Sequence, residues 1–240
     1  MRKVFAGMLL TVLAAAGAEA QSLPTVNQIL EKYVTALGGR AAMQKLNSRI
    51  SSGTIEFPEQ GASGTVVFYA KAPNKRRYTV EVEGFGRVEQ GFDGATGWSS
   101  SPQNGVATMD EGELAYVRIA ADFHNSLRIG QAYSDLKVRG REKVGESDAY
   151  VVEGKQSDGK LQAFFFDVAS GLLVRSVSQR ATPEGDIQID THLSDYREVD
   201  GVKLAHLIQQ QNAGVGSITR LNAVKHNVVI EDSLFARPSP

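Results

Sequence analysis

From Ser48 onward the chain alternates apolar and polar positions with period two, and the alternation predicts strand after strand. Residues 49–57, 64–71, 76–83, 86–92 and 97–101 make a first run. Residues 136–144, 148–156, 160–168, 171–181, 186–197, 203–211 and 216–226 make a second. Turn pairs separate many of them: Asp93-Gly94, Asn104-Gly105, Asp158-Gly159, Ser170-Gly171, Glu184-Gly185 and Asp200-Gly201. Such short spacers make hairpins, hence an antiparallel meander. In 186–197, Ile187, Ile189, Thr191 and Leu193 share one face while Gln188, Asp190, His192 and Ser194 share the other. That strand should be covered on one side and wet on the other. In 160–168, Phe164 and Phe166 point one way and Phe165 the other, so this strand should be covered on both sides.

Helical spacing interrupts the strands twice. Thr25 with Gln28 three residues on matches a capping box. Val26, Ile29, Leu30, Tyr33, Val34 and Leu37 follow at helical intervals until Gly38-Gly39, and Ala41 to Leu46 reads as one more short helix. The second interruption, Asp110 to Tyr133, lies between the two runs of strands. Asp110 with Glu113 caps it, and Asn125-Ser126 divides it. Its residues 114–123 are apolar almost all round, so it should be buried on most sides. In a β-protein that means a plug or lid against a concave sheet, an arrangement suited to an apolar ligand.

The first twenty residues read as a cleavable export signal: Arg2 and Lys3, an apolar run from Val4 to Ala16, then Ala18-Glu19-Ala20. The run is too short to span a bilayer. Residues 21–240 are expected to form one domain, long enough to bury a core without cross-links. The chain has no cysteine, which excludes disulfides, thiolate ligands, a cysteine nucleophile and a lipid-modified cysteine anchor. The expected location is therefore the periplasm, or outside the cell. Of 26 basic and 27 acidic residues, 24 and 26 remain once Arg2, Lys3 and Glu19 are removed. So balanced a chain carries no electrostatic footprint for nucleic acid. Lys75-Arg76-Arg77 is the one tight basic run and reads as a solvated turn or a strand-edge gatekeeper.

Catalytic signatures are missing. His124, His192, His206 and His226 form no metal-ligand spacing, and no metal or other cofactor is expected. Asp122-x-His124 is the closest acid–imidazole pair, and a helix-end charge or a buried hydrogen bond accounts for it better than a catalytic dyad. There is no Gly-x-Ser-x-Gly elbow, and Gly84-Phe85-Gly86 lacks the third glycine and the following helix of a dinucleotide fingerprint. A hydrolase using a carboxylate such as Asp122 is the weakest of the functional alternatives.

Several short stretches carry a resemblance. Gly91-Phe92-Asp93-Gly94-Ala95-Thr96-Gly97-Trp98 resembles the DG-x-x-x-W strand-turn-strand of the LolA/LolB-like periplasmic carriers. Phe166-Asp167-Val168-Ala169-Ser170-Gly171-Leu172-Leu173 resembles their later hairpin. Tyr69 to Lys75, Ala121 to His124 and Asp195 to Leu204 are similar to stretches of LolA-like outer-membrane lipoprotein-sorting proteins. The order of elements matches over most of residues 21–240. The resemblance implies a mainly β (α+β) fold: a strongly curved antiparallel sheet forming a half-open, incomplete β-barrel, with an N-terminal helix and a central helical lid or plug. It implies a hydrophobic cavity for lipoprotein acyl chains or other lipid, without catalysis, and transient contact with inner- or outer-membrane acceptor proteins. The missing cysteine points to the soluble type.

On that reading the candidate lining residues are Phe68, Tyr78, Val80, Phe92 and Trp98 on the sheet, Leu114, Val117 and Phe123 on the lid, and Phe164 and Phe166 on the later strand. Ordinary core packing is the alternative for each. LolA-type carriers use an arginine that hydrogen-bonds the lid; Arg49, Arg77 and Arg87 lie in the corresponding part of this chain, and none matches a motif. A lipid- or envelope-stress-sensing module of the same fold is the second functional expectation.

Overall fold

A computed structural model describes residues 22–182, 185–212 and 214–238; the expected signal peptide, residues 1–20, lies outside them. Helix α1 (Val26–Ala36) opens on the expected reciprocal cap, with Gln28 N–H donating to Thr25 Oγ1 at 3.3 Å and Thr25 N–H to Gln28 Oε1 at 2.8 Å. Helix α2 is Arg40–Gln44. Six strands follow: β1 (Ser48–Phe57), β2 (Ala62–Lys71), β3 (Lys75–Val82), β4 (Gly86–Phe92), β5 (Gly97–Ser101) and β6 (Gly105–Thr108). Helix α3 (Glu111–Ala121), a single 3-10 turn at Asn125–Leu127 and helix α4 (Ile129–Ala132) form the central interruption. Seven more strands follow, β7 (Ser134–Val144), β8 (Ser147–Lys155), β9 (Leu161–Asp167), β10 (Leu173–Thr182), β11 (Gly185–Val199), β12 (Val202–Asn212) and β13 (Val215–His226), and then a 3-10 turn, Asp232–Phe235.

The alternation predicts all but one of these strands. The exception is β6, because Gly-Val-Ala-Thr, mostly exposed and paired only with β5, carries no alternation.

The strands form one antiparallel sheet in the order β6-β5-β4-β3-β2-β1-β13-β12-β11-β10-β9-β8-β7. The first and last strands pair in its middle, and β6 and β7 are its free edges. The connection from β6 to β7 must therefore travel from one edge to the other, which places α3 and α4 across a face of the sheet. Strands β4 and β10 lie seven strand spacings apart, about 34 Å in a flat sheet. Helix α3, only about 16 Å long at 11 residues, packs against both. The sheet bends to bring them within reach. It remains open, neither closed into a barrel nor tightly rolled, and helices cover part of its concave side.

Two apolar cores lie on that side. At the β7–β9 end, Ile29, Tyr33 and Val34 of α1 pack on Val152, Phe164 and Phe166; the Tyr33 and Phe166 rings are 5.1 Å apart. At the other end Phe92 and Met109 pack against Leu114, Val117 and Ala121 of α3. Every residue of α3 is buried or half-buried except Glu111 and Arg118, which pair with each other at 2.8 Å on its outer side. A helix apolar nearly all round is thus covered nearly all round. Phe165 faces the convex side, where it packs with Ala149 and Val151, and the Arg175 guanidinium lies 4.8 Å from its ring centre.

The convex face of β3 and β4 holds a buried ion pair. Glu89 accepts from Arg77 at 2.7 Å and from Thr79 at 2.9 Å, and Arg87 lies at 3.0 Å. Burial alone would raise the Glu89 carboxyl, but the hydrogen bonds from Arg77 and Thr79 and the two arginine charges outweigh it, so it stands below the ordinary value. A carboxyl lowered in this way stabilises the fold above its unfolded value and loses that contribution as pH falls through the folded one. Glu89→Gln is expected to be less stable than wild type at pH 7 in urea titrations. The gap should narrow as pH falls below the unperturbed value of 4.5.

Candidate ligand cleft

Strand β3 sets the inner wall. Its register with β4 puts Arg76, Tyr78 and Val80 on the concave face and Arg77 and Thr79 on the convex one. Between β3 and α3 on one side and the β10–β13 strands on the other lies a cleft of about 880 Å³. Ile55, Val66, Val80 and Val82 form an apolar floor, and Ile189 and Ile208 form the far wall. Val117 and Tyr116 of α3 close one end; Phe85 and Val215, both exposed, stand at the other. Burial raises the Tyr78 hydroxyl above its ordinary value, against the charges of Arg76 and Arg180. A second recess of about 340 Å³ continues past Arg76 beneath the end of α3, sharing Phe68, Arg76 and Ile208 with the first.

Of the expected lining residues, Phe68, Tyr78, Val80 and Val117 line the main cleft, and Phe123 lines the second recess. Phe92 of β4 and Leu114 of α3 meet where that helix packs on the sheet. Phe164 and Phe166 pack under the N-terminal helices and line neither space. Trp98 stands on the opposite face: its register partner is Gly91, which shares the convex side with Arg77. Tryptophan is a large apolar group that any core accepts, so its composition alone carried no side.

The residues missed are as informative. The basic run Lys75-Arg76-Arg77 is neither a turn nor an edge, because β3 lies between β2 and β4. Alternation splits the run: Arg77 meets Glu89, Lys75 meets Asp232 at 2.8 Å, and Arg76 enters the cleft. Arg180 also lines the cleft, and nothing in its local sequence marks it. Of the three arginines in the region of the lid-bonding one, Arg49 alone faces the helices; Arg77 and Arg87 face Glu89 on the other side.

His124 and Asp122 do not face each other. The Asp122 carboxylate accepts from Arg128 at 2.6 Å and from the His124 backbone N–H at 3.0 Å. The His124 Nε2–H points at the Met43 and Leu46 carbonyls, both at 3.1 Å, at the end of α2. With Phe123 N–H donating to Pro73 O at 3.0 Å, the pair anchors the foot of α3 to the sheet. Among the described residues there is no cluster of three acidic, histidine or cysteine side chains suited to a metal. None of their helices is long and apolar enough to cross a membrane.

No protein-family model matches the chain, and no curated protein matches it. Solved structures do. A DUF1329 family protein from Desulfovibrio piger superposes with a TM-score of 0.58 at 14% identity, over 88% of this chain and 97% of that one. A LolA superfamily protein from Nitrosomonas europaea gives 0.56 at 12% identity, over 90% of this chain and 99% of that one. At such identities the likeness speaks for the fold, and the fold is LolA-like.

Proposed function

We propose that the protein is an exported, periplasmic carrier that holds lipid or lipoprotein acyl chains in the cleft and performs no chemistry on them. The apolar cleft of about 880 Å³ between the open sheet and α3 is the observation that carries this reading. Ligand sites are commonly clefts of this size, apolar with a few polar groups. Burial of an acyl chain contributes about 0.8 kcal/mol per methylene. Binding of that strength needs a route to release, and a helix that competes for the same apolar surface supplies one. The LolA-like fold and the N-terminal signal pattern agree with transport outside the cytoplasm.

Protein purified from the periplasm is expected to carry lipid adducts in native mass spectrometry, and delipidated protein to take up a fluorescent fatty acid. Val80→Trp, which places a ring over the floor of the cleft, should lower uptake while leaving the circular dichroism spectrum unchanged. Neither adducts nor uptake, under conditions where an established carrier scores, would defeat the proposal. A stable protein partner without acyl transfer would move the assignment to the sensing module.

A further inference from the structure

Arg76 stands where the cleft meets the second recess, with Arg180 on the cleft side of it and Arg49 and His226 on the recess side. His226 on β13 is the register partner of Arg49 on β1, and Ala70 on β2 is the partner of both Arg49 and Arg76 on β3. Arg180 comes from β10, on the other side of the cleft. Its guanidinium lies 5.2 Å from the Tyr116 ring centre, and that of Arg76 lies 6.0 Å from the Tyr78 ring centre.

Their neighbours show what is unusual here. Arg77 meets Glu89 at 2.7 Å, Arg175 meets Asp190 at 2.6 Å, and His226 meets Asp200 at 3.0 Å. Among the described residues, Arg49, Arg76 and Arg180 have no carboxylate partner; Arg180 Nε is buried without a hydrogen-bond acceptor, as is Arg77 Nε, but Arg77 has Glu89 for its other nitrogens. Burial, and then the nearby charge of Arg76, lower Arg49 below its ordinary value. Buried donors in native proteins are nearly always satisfied, and an exception calls for a physical reason. Guanidinium groups match carboxylate and phosphate oxygens in a planar, bidentate geometry that a neutral ligand cannot supply.

The cleft also has a direction. Arg76, Tyr78, Val80 and Val82 follow one another along a single face of β3, from cationic to apolar, over about 20 Å. The apolar end opens beside Phe85, which is 56% exposed, and the carboxylate of Glu83. A negatively charged head at that end would meet Glu83; at the other it meets two arginines.

We propose that the ligand is a single-chain anionic amphiphile, a carboxylate or a phosphate ester, whose charged group lies between Arg76 and Arg180 and whose chain runs along β3 toward Val82. This rests on the acyl-carrier reading and narrows it, since an acyl chain held in an ester or amide carries no charge of its own.

The test is displacement of a neutral fluorescent apolar probe from delipidated protein by palmitate, hexadecyl phosphate, hexadecanol and inorganic phosphate. Palmitate and hexadecyl phosphate should compete at concentrations at least about tenfold lower than hexadecanol, the scale of a charge-assisted hydrogen bond. Arg76→Gln/Arg180→Gln should erase that preference, so that palmitate and hexadecyl phosphate compete no better than hexadecanol. Arg180→Lys, which keeps the charge but not the fork, should retain part of it. Equal competition by palmitate and hexadecanol in wild type overturns the anionic assignment while leaving the carrier reading intact. Competition by inorganic phosphate as strong as by hexadecyl phosphate overturns the amphiphile and assigns the arginines to a free anion. No displacement by any of the four overturns the carrier reading itself.

Discussion

Oxidation of a Gly112→Cys/Ala181→Cys pair is expected to arrest loading and release of acyl ligand, and reduction to restore both. The pair joins the start of α3 to β10 where the two already touch. A Cβ built on Gly112 lies 3.3 Å from the Ala181 Cβ, just short of the roughly 3.5–4.5 Å range of disulfides, so a few tenths of an ångström of relaxation admit the bond. The chain has no cysteine to compete. At its other end α3 is already anchored, through the hydrogen bonds of Asp122, Phe123 and His124. At its start the Met109 N–H bond to Gly97 O ties it to β5, while its contact with β10 is by packing alone. A cross-link to β10 therefore clamps the segment to both walls. Fatty-acid exchange followed by stopped-flow fluorescence reads the effect. If α3 is a lid, the oxidised protein traps ligand already present and takes up none when empty. Equal exchange rates in the oxidised and reduced forms would identify α3 as a fixed plug, with the ligand entering past Phe85 and Val215.

Trp98→Ala is expected to destabilise the protein by about 3–5 kcal/mol, a large part of a typical domain's net stability, while leaving ligand affinity nearly unchanged. The indole is fully buried, its Nε1–H donates to Phe235 O at 2.9 Å, and the Arg77 guanidinium lies 5.4 Å from its ring centre. Beneath it is Gly91, where an added Cβ would come within 2.3 Å of the ring, so Gly91→Ala should displace the indole and share the defect. Around it, the C-terminal segment is held down by Lys71 and Lys75 on Asp232 and by Arg77 on Leu234 O. Truncating Trp98 leaves a cavity under this segment and an unmatched carbonyl at Phe235. Urea denaturation reads the loss, and fatty-acid binding to the folded fraction reads the ligand side. Affinity lost with stability unchanged would return Trp98 to the cleft.

Trp98 also shows where local sequence stops being informative. Its stretch, Asp93-Gly94-Ala95-Thr96-Gly97-Trp98, made the hairpin and the fold resemblance legible, because turn chemistry and strand period act between near neighbours. Which face the indole occupies depends on its register against Gly91, on β4's register against β3, and on the C-terminal segment some 137 residues later in the chain. The three phenylalanines of β9 behave likewise. Alternation foretold that both faces of this strand are covered, but that α1 rather than a ligand covers Phe164 and Phe166 is a matter of packing.

What the sequence by itself determined is local and periodic. It specified the α1 and α3 caps, twelve of the thirteen strands, the apolar circumference of α3 and its division near Asn125-Ser126. Each follows from hydrogen bonds or side-chain faces within a few residues. The tertiary structure alone decided the pairing of β1 with β13, which leaves β6 and β7 at opposite edges and sends α3 across the concave face. It alone separated Arg76 from Arg77 and brought Arg76 and Arg180 to one cleft from strands about a hundred residues apart. Charge in a sequence has no direction; the pleat assigns it a face, and the bend of the sheet decides what it faces.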